Sequence, residues 1–356
     1  MTEGYSRVAR SLRGRWVENL YFGVAAVATP DGKVIARLGD PGRGVFLRSA
    51  AKPIQLLPLL LAGGEERFGL SGAEIALMCS SHAGTDEHVC AVRALLERLE
   101  LSEKSLTCGS HPPLDRKAAA ALRDRAESPG VLHNNCSANH VGQLLSCLIL
   151  DLPTEGYSEP AHPLQRRVLD LMARFTGLAP EAIQTGVDGC GLPSFRLAAE
   201  TAAHLYACLA DPEAAALEPD LVRHTRVILE AMAAHPERVA GPGRFTTSLI
   251  RATGGRVIGK EGAEGFYGVT VRGPVALGVA IKIIDGSEEC RDGVVIEVLR
   301  QAGCLSRVEF ERLSPFYRKE LRNHSGEVIG DLAPDLELVE GEVPHTMESI
   351  PAGSVV

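Results

Sequence analysis

Aromatic residues are scarce in this chain. Its 356 residues include one Trp, six Tyr and nine Phe, 4% in all, so the core must be mostly Ala, Leu, Val and Ile. Long apolar runs are missing too. The longest, around Leu56 to Ala62, is interrupted by Pro58 and falls far short of the roughly 20 residues that span a bilayer. The N-terminus has no apolar signal core with a small-residue cleavage site, which points to a cytoplasmic protein. A positive surplus is also absent. Lys and Arg number 37 against 45 Asp and Glu, a formal charge of −8. That argues against a general nucleic-acid binder. Only Arg7, Arg10, Arg13 and Arg15 are locally basic, in a stretch too short and too mixed to form a patch. The nine cysteines are odd in number and show no C-x-x-C spacing. In a reducing compartment most read as buried small apolar side chains. Cys136 and Cys190 stand apart because of their neighbours.

Hydrophobic content of 45% fits a globular protein, and the length allows one large domain or two coupled lobes. The pattern predicts a β-hairpin from Val24 to Leu38 around Pro30-Asp31-Gly32-Lys33. A buried helix follows over Ser49 to Leu61, with Pro53 in its first turn. Ser71 and Glu74 form a capping-box pattern ahead of a helix reaching Cys79, and His88 to Leu99 is amphipathic. The middle reads as helices over Arg116–Ala126, Asn139–Leu150, Pro163–Thr176, Ser194–Ala210 and Pro219–His235. A second hairpin, Gly265–Val271 with Val275–Ile284, precedes a helix over Asp292–Ala302 and a short strand at Glu327–Ile329. The order is hairpin, helices, hairpin. It predicts an α+β fold: one antiparallel sheet built from both chain ends, with a helical lobe beside it. The whole chain, 1–356, then forms one domain with two lobes, a mixed one of about 1–80 and 240–356 and a helical one of about 81–239.

Five stretches carry chemistry. In Arg48-Ser49-Ala50-Ala51-Lys52-Pro53, a hydroxyl and an amine lie three residues apart, on one face of a helix if the stretch opens one. That is the S-x-x-K arrangement for serine acyl transfer, although alone it also describes an N-cap serine with a surface lysine. Cys79-Ser80-Ser81-His82-Ala83-Gly84 places small hydroxyls at a helix end. His133 to Gly142 concentrates polar residues at a helix start, where backbone N–H groups favour an anion. A thiol there, Cys136, would have a lowered pKa. Gly186 to Pro193 sets Asp188 and Cys190 among glycines, a tight loop where backbone approaches a ligand. Cys136 and Cys190 could be metal ligands, a disulfide or two core thiols. Gly259-Lys260-Glu261-Gly262 reads as a charged glycine-rich loop in which Gly262 allows close approach. The order S-x-x-K, S-x, K-x-G matches the plan of penicillin-recognising serine hydrolases.

Arg48 to Gln55, Ser81-His82, Cys136-Ser-Ala-Asn-His140, Asp188-Gly-Cys-Gly-Leu-Pro193, Gly241-Pro242-Gly243 and Lys260 to Gly265 together resemble the asparaginase II family of the Rhizobium etli type, over about Arg7 to Leu332. The resemblance implies a fold similar to serine β-lactamases and glutaminases, a homodimer, and hydrolysis of L-asparagine to L-aspartate and ammonia. It implies Ser49 as nucleophile with Lys52 as its base, and Ser81 with Lys260 as a second pair. His140 and Asp188 would lie close to substrate, with Cys136 and Gly262 bordering it. It further implies a zinc site at Cys136 and Cys190. Asn139 stands where the family has its lysine ligand, and an amide oxygen suits zinc less well than nitrogen. Asn19 and Tyr21, in Val17-Glu18-Asn19-Leu20-Tyr21-Phe22-Gly23, replace a Ser and a His. The expectation is a serine amidohydrolase acting on L-asparagine. The alternatives are hydrolysis of glutamine or a β-lactam-like amide, or a non-catalytic amino-acid- or zinc-binding protein on the same scaffold. No nucleic-acid or membrane partner is expected.

Overall fold

The computed structural model describes residues 3–340. The parts of the single-domain expectation covering 1–2 and 341–356 lie outside the described residues. The chain divides into two compact units. One runs to Leu47 and resumes over Leu197–Ala215 and from Ala252. The other comprises Arg48–Arg196 and Ala216–Arg251.

The first unit is an antiparallel sheet covered by helices. Strands Ser6–Arg13 and Trp16–Ala28 pair with each other, and the latter also pairs with Val34–Leu38 through the expected turn. Trp16–Ala28 takes Leu277–Ile283 on its other side, followed by Phe266–Val271 and Val257–Glu261. Ser6–Arg13 takes Val328–Pro334, then Lys319–Arg322. One sheet is thus made from both chain ends. With few aromatics available, the packing relies on close backbone approach. Helix Ala199–Ala210 lies on the sheet where Gly268 and Gly278 expose bare backbone. A Cβ on Gly278 would meet Ala203 O at 2.0 Å and Ala207 N at 2.1 Å, and one on Gly268 would strike the Tyr206 ring at 2.0 Å.

Arg7, Arg10 and Arg13 lie on strand Ser6–Arg13, in which Val8 and Ala9 are buried between exposed Arg7 and Arg10. Two expectations differ from the structure here. The Lys260 stretch is not a loop: Val257–Glu261 is a strand buried along its length. Its lysine, glutamate and glycine hid it, because none of them favours strands. The helix expected from Ser194 begins only at Ala199. Pro193–Ala198 is a strand whose first residues pair with Gln184–Val187.

The second unit is helical. Arg48–Ala51 forms a turn of 3₁₀ helix and runs into helix Lys52–Leu61, nine of whose ten residues are buried. A helix apolar all round must be buried, and Ser137–Ile149, Pro163–Thr176 and Pro219–Ala234 pack against it. Pro53 sits in the first turn, where its missing N–H is harmless. Helix Gly72–Met78 begins at the expected capping box: Ser71 Oγ accepts from Glu74 N, and Ser71 N donates to Glu74 Oε2 at 2.8 Å. No described helix is long and apolar enough to cross a membrane.

Candidate active site

The 3₁₀ turn leaves Ser49 half-buried while Lys52, one turn on, is 2% exposed. The residue before Ser49 has a left-handed backbone. Arg48 has φ +52°, a conformation that costs a side-chain-bearing residue of order 1–3 kcal/mol unless its surroundings enforce it. The enforcing contacts are visible. Arg48 N donates to Ser194 Oγ at 3.2 Å, and its guanidinium grips Asp188 with two bonds, Nε to Oδ2 at 2.9 Å and Nη2 to Oδ1 at 3.1 Å. Asp188 is fixed in turn by its loop, with Asp188 N donating to Leu192 O and Gly191 N to Asp188 O, both at 2.9 Å.

The Lys52 amine donates to Ser80 O, to Ser81 Oγ at 3.4 Å and to Cys136 Sγ at 3.2 Å. These are three acceptors, one for each proton of an ammonium. Ser49 Oγ is not among them; it lies 3.9 Å from Cys136 Sγ. Cys136 Sγ is thus within contact of both the serine and the lysine. A hydrogen bond with Cys190, then the Lys52 charge, outweigh burial and lower the Cys136 thiol to about 5. The same bond and burial push Cys190 up, so Cys136 is the more acidic of the two thiols. Cys136 also caps helix Ser137–Ile149, whose dipole favours that charge. Asn134 shapes this corner: its Nδ2 donates to Cys108 O and its Oδ1 accepts from Cys136 N, both at 2.8 Å.

His140 lies one turn beyond Cys136 on the same helix face. Burial, and then Lys52, lower it to about 3, against the opposing pull of Asp188, so the ring is uncharged. Its Nδ1 contacts Tyr157 OH at 2.6 Å. Ser80 Oγ, Asn139 Oδ1 and His140 Nε2 are among the buried atoms of this unit that have no protein partner. Unsatisfied buried polar atoms are rare in native folds and mark places where a ligand or water completes the set.

Ser49, Lys52, Ser81, Cys136, His140, Asp188 and Cys190 thus all lie in the helical unit, with the contacts just given. Lys260 and Gly262 belong to the sheet unit. Lys260 is buried on strand Val257–Glu261 and its Nζ donates to Glu261 O at 2.9 Å. A Cβ on Gly262 would meet Leu47 O at 2.4 Å, so the close approach there is by the protein's own backbone. Arg48 and Asn134 lay inside the motifs read from the sequence but were given no role there, and Tyr157 was not singled out. For Arg48 a signal existed, its place directly before the serine; Tyr157 offered none.

Among the described residues no three His, Cys, Asp or Glu side chains gather as metal ligands. The remaining donor beside the two sulfurs is an amide whose Nδ2 is held by Met78 O at 3.1 Å. Lys52 Nζ already donates to Cys136 Sγ.

The family model of L-asparaginase II matches residues 9–334. No curated protein matches the chain. Among solved structures, the chain is similar to Mglu in its native form at 15% identity, with a TM-score of 0.42 over 80% of this chain and 65% of the Mglu chain. It is also similar to a Bacillus glutaminase in the presence of 4.3 M NaCl at 14% identity, with a TM-score of 0.36 over 79% of this chain and 90% of that one. The chain thus spans just under two thirds of the Mglu chain.

Proposed function

Because this chain belongs to the L-asparaginase II family and so to the amidohydrolases, we propose that its substrate is a free amino acid with a side-chain amide, L-asparagine first. The observation that carries this reading is the Arg48–Asp188 fork, next in sequence to a half-buried Ser49. A free amino acid brings a carboxylate and an ammonium, and an Arg and an Asp already held together are the complementary charges. Ser49 Oγ attacks the amide carbon. Its proton passes through the Cys136–Lys52 pair to the amide nitrogen, the C–N bond breaks and ammonia leaves. Water then cleaves the ester, releasing aspartate and restoring Ser49. Backbone N–H groups near Ser49 hold the oxyanion. Ser81, with Lys260 as the second Ser–Lys pair, and the homodimer enter the proposal on the family resemblance. A cytoplasmic setting, one in which nine free thiols would persist, enters it on the sequence reading.

One observation favours a second reading. All three Lys52 protons are engaged by Ser80, Ser81 and Cys136 and none by Ser49, as suits an amino-acid-binding protein without turnover. Ammonia release separates the two. Purified protein is given L-asparagine and, separately, L-glutamine, beside Ser49→Ala. Release from asparagine that is abolished in Ser49→Ala supports the proposal. A thermal shift with asparagine and no ammonia selects the binding reading. Preference for glutamine changes the substrate by one methylene, worth about 1–3 kcal/mol.

A further inference from the structure

Tyr157 is buried, and its hydroxyl has two neighbours. Thr107 N donates to it at 3.1 Å, and His140 Nδ1 lies 2.6 Å away. The phenol oxygen therefore accepts from Thr107, and its own proton has a single acceptor, Nδ1. If Nδ1 carried the ring proton instead, two groups would be stranded, the phenol O–H and a bare Nε2. With Nδ1 accepting, only the Nε2–H is left over, and Nε2 is the buried atom that lacks a partner. Buried polar groups are seldom left unpaired, so the arrangement with fewer orphans prevails.

A ladder of amides fixes this geometry. Gln143 Nε2 donates to Gln55 O at 2.9 Å. Gln165 Nε2 donates to Gln143 Oε1 at 2.9 Å and to Tyr157 O at 2.8 Å. The ladder starts on helix Lys52–Leu61, crosses the helix that bears His140 and ends on the tyrosine backbone. The His140 and Tyr157 rings meet edge to face at 5.5 Å between centroids. Hydrogen-bond chains of this kind hold their members in one arrangement.

We infer that Tyr157 is a positioning residue that fixes His140 as its Nε2–H tautomer, so that an uncharged N–H donor faces a carbonyl or carboxylate oxygen of the substrate. This rests on the amidohydrolase reading for its substrate, whereas the tautomer stands on geometry alone.

Two measurements test it. The first is nitrogen NMR of histidine-labelled protein, with the His140 signals assigned by their loss in His140→Gln. The expected result is a protonated Nε2 and a bare Nδ1 in the wild type, with the preference relaxed in Tyr157→Phe. A protonated Nδ1 in the wild type overturns the inference whatever the activity. The second is kinetic. His140→Ala is expected to lower kcat/KM about a hundredfold, as the loss of one positioned donor does. His140→Gln, whose amide reaches the Nε2 position, is expected to recover about tenfold of that, and His140→Asn, which reaches only Nδ1, none. Equal rescue by Asn overturns the donor role. A wild type that releases no ammonia from either amide overturns the amidohydrolase reading and with it the donor role, while the NMR result still decides the Tyr157–His140 pair.

Discussion

Helices Ala199–Ala210 and Ser137–Ile149 are both deeply buried and rich in small residues, yet they solve opposite problems. The first sets Ala203, Tyr206 and Ala207 against Gly268 and Gly278 of the sheet, and these glycines let the backbones close up until there is no room for a methyl group. The second buries Ser137, Asn139, His140, Gln143 and Ser146. Ser137, Gln143 and Ser146 find partners for their polar atoms, whereas Asn139 Oδ1 and His140 Nε2 do not. A dry contact surface that tolerates no added atom is there for stability. A buried polar surface with spare donors and acceptors has been kept against stability, and that is where chemistry is sought.

The strongest way to break this contrast is at Lys52. Lys52→Met removes the cation from a buried thiolate and is expected to abolish ammonia release and to destabilise the fold by about 3–5 kcal/mol. Denaturant unfolding reads the stability. The ultraviolet absorbance of the thiolate reads the charge, which should fall near neutral pH as loss of the Lys52 charge raises Cys136.

Acid should act on the helical unit next most strongly. Burial lowers His82 well below its ordinary value, His88 to about 4 and His140 to about 3, from 6.5. All three are then neutral in the fold and cationic in the unfolded chain below 6.5. The unfolded state binds more protons, so stability is lost as pH falls from 6.5 through the folded values. Cys136 adds to this slope: its depressed value means its contribution is full above 9.0 and gone below about 5. A loss of roughly 5 kcal/mol or more between pH 6.5 and 4 is expected, seen as a falling Tm. A flat Tm over that range would contradict the buried neutral histidines.

The sheet side is tested by Gly278→Ala. The added methyl must push helix backbone, costing about 1–3 kcal/mol, while kcat of the folded fraction stays unchanged. A change in kcat would show that the dry surface also serves the reaction. Ser71→Ala removes a capping box far from either surface and should cost about 1 kcal/mol. Chelator treatment should have no effect on kcat, since the Cys136 charge is met by Lys52; lost activity restored by zinc would reverse that assignment.

How much of this was legible in the sequence follows from the range of the interactions. Turn chemistry at Pro30–Lys33, the Ser71 capping box and the Ser49–Lys52 spacing are local, and all three appear where the residues call for them. Strand Val257–Glu261 was hidden because it is specified by its neighbour Phe266–Val271 and not by its own residues. The site divides the same way. Ser49, Lys52 and Cys136 announce themselves by motif. The facts that Lys52 faces Ser81 and Cys136 and not Ser49, and that Tyr157 reaches His140, depend on contacts between segments far apart in sequence.

The arrangement of the sheet has a consequence for synthesis. Hairpin Ser6–Ala28 receives its flanking partners, Leu277–Ile283 on one side and Val328–Pro334 on the other, only from the last part of the chain to be made. Until those segments leave the ribosome, the nascent hairpin carries open edges able to pair with any other strand. Chains that terminate before residue 277 would keep both edges open and should be found in aggregates or bound to chaperones.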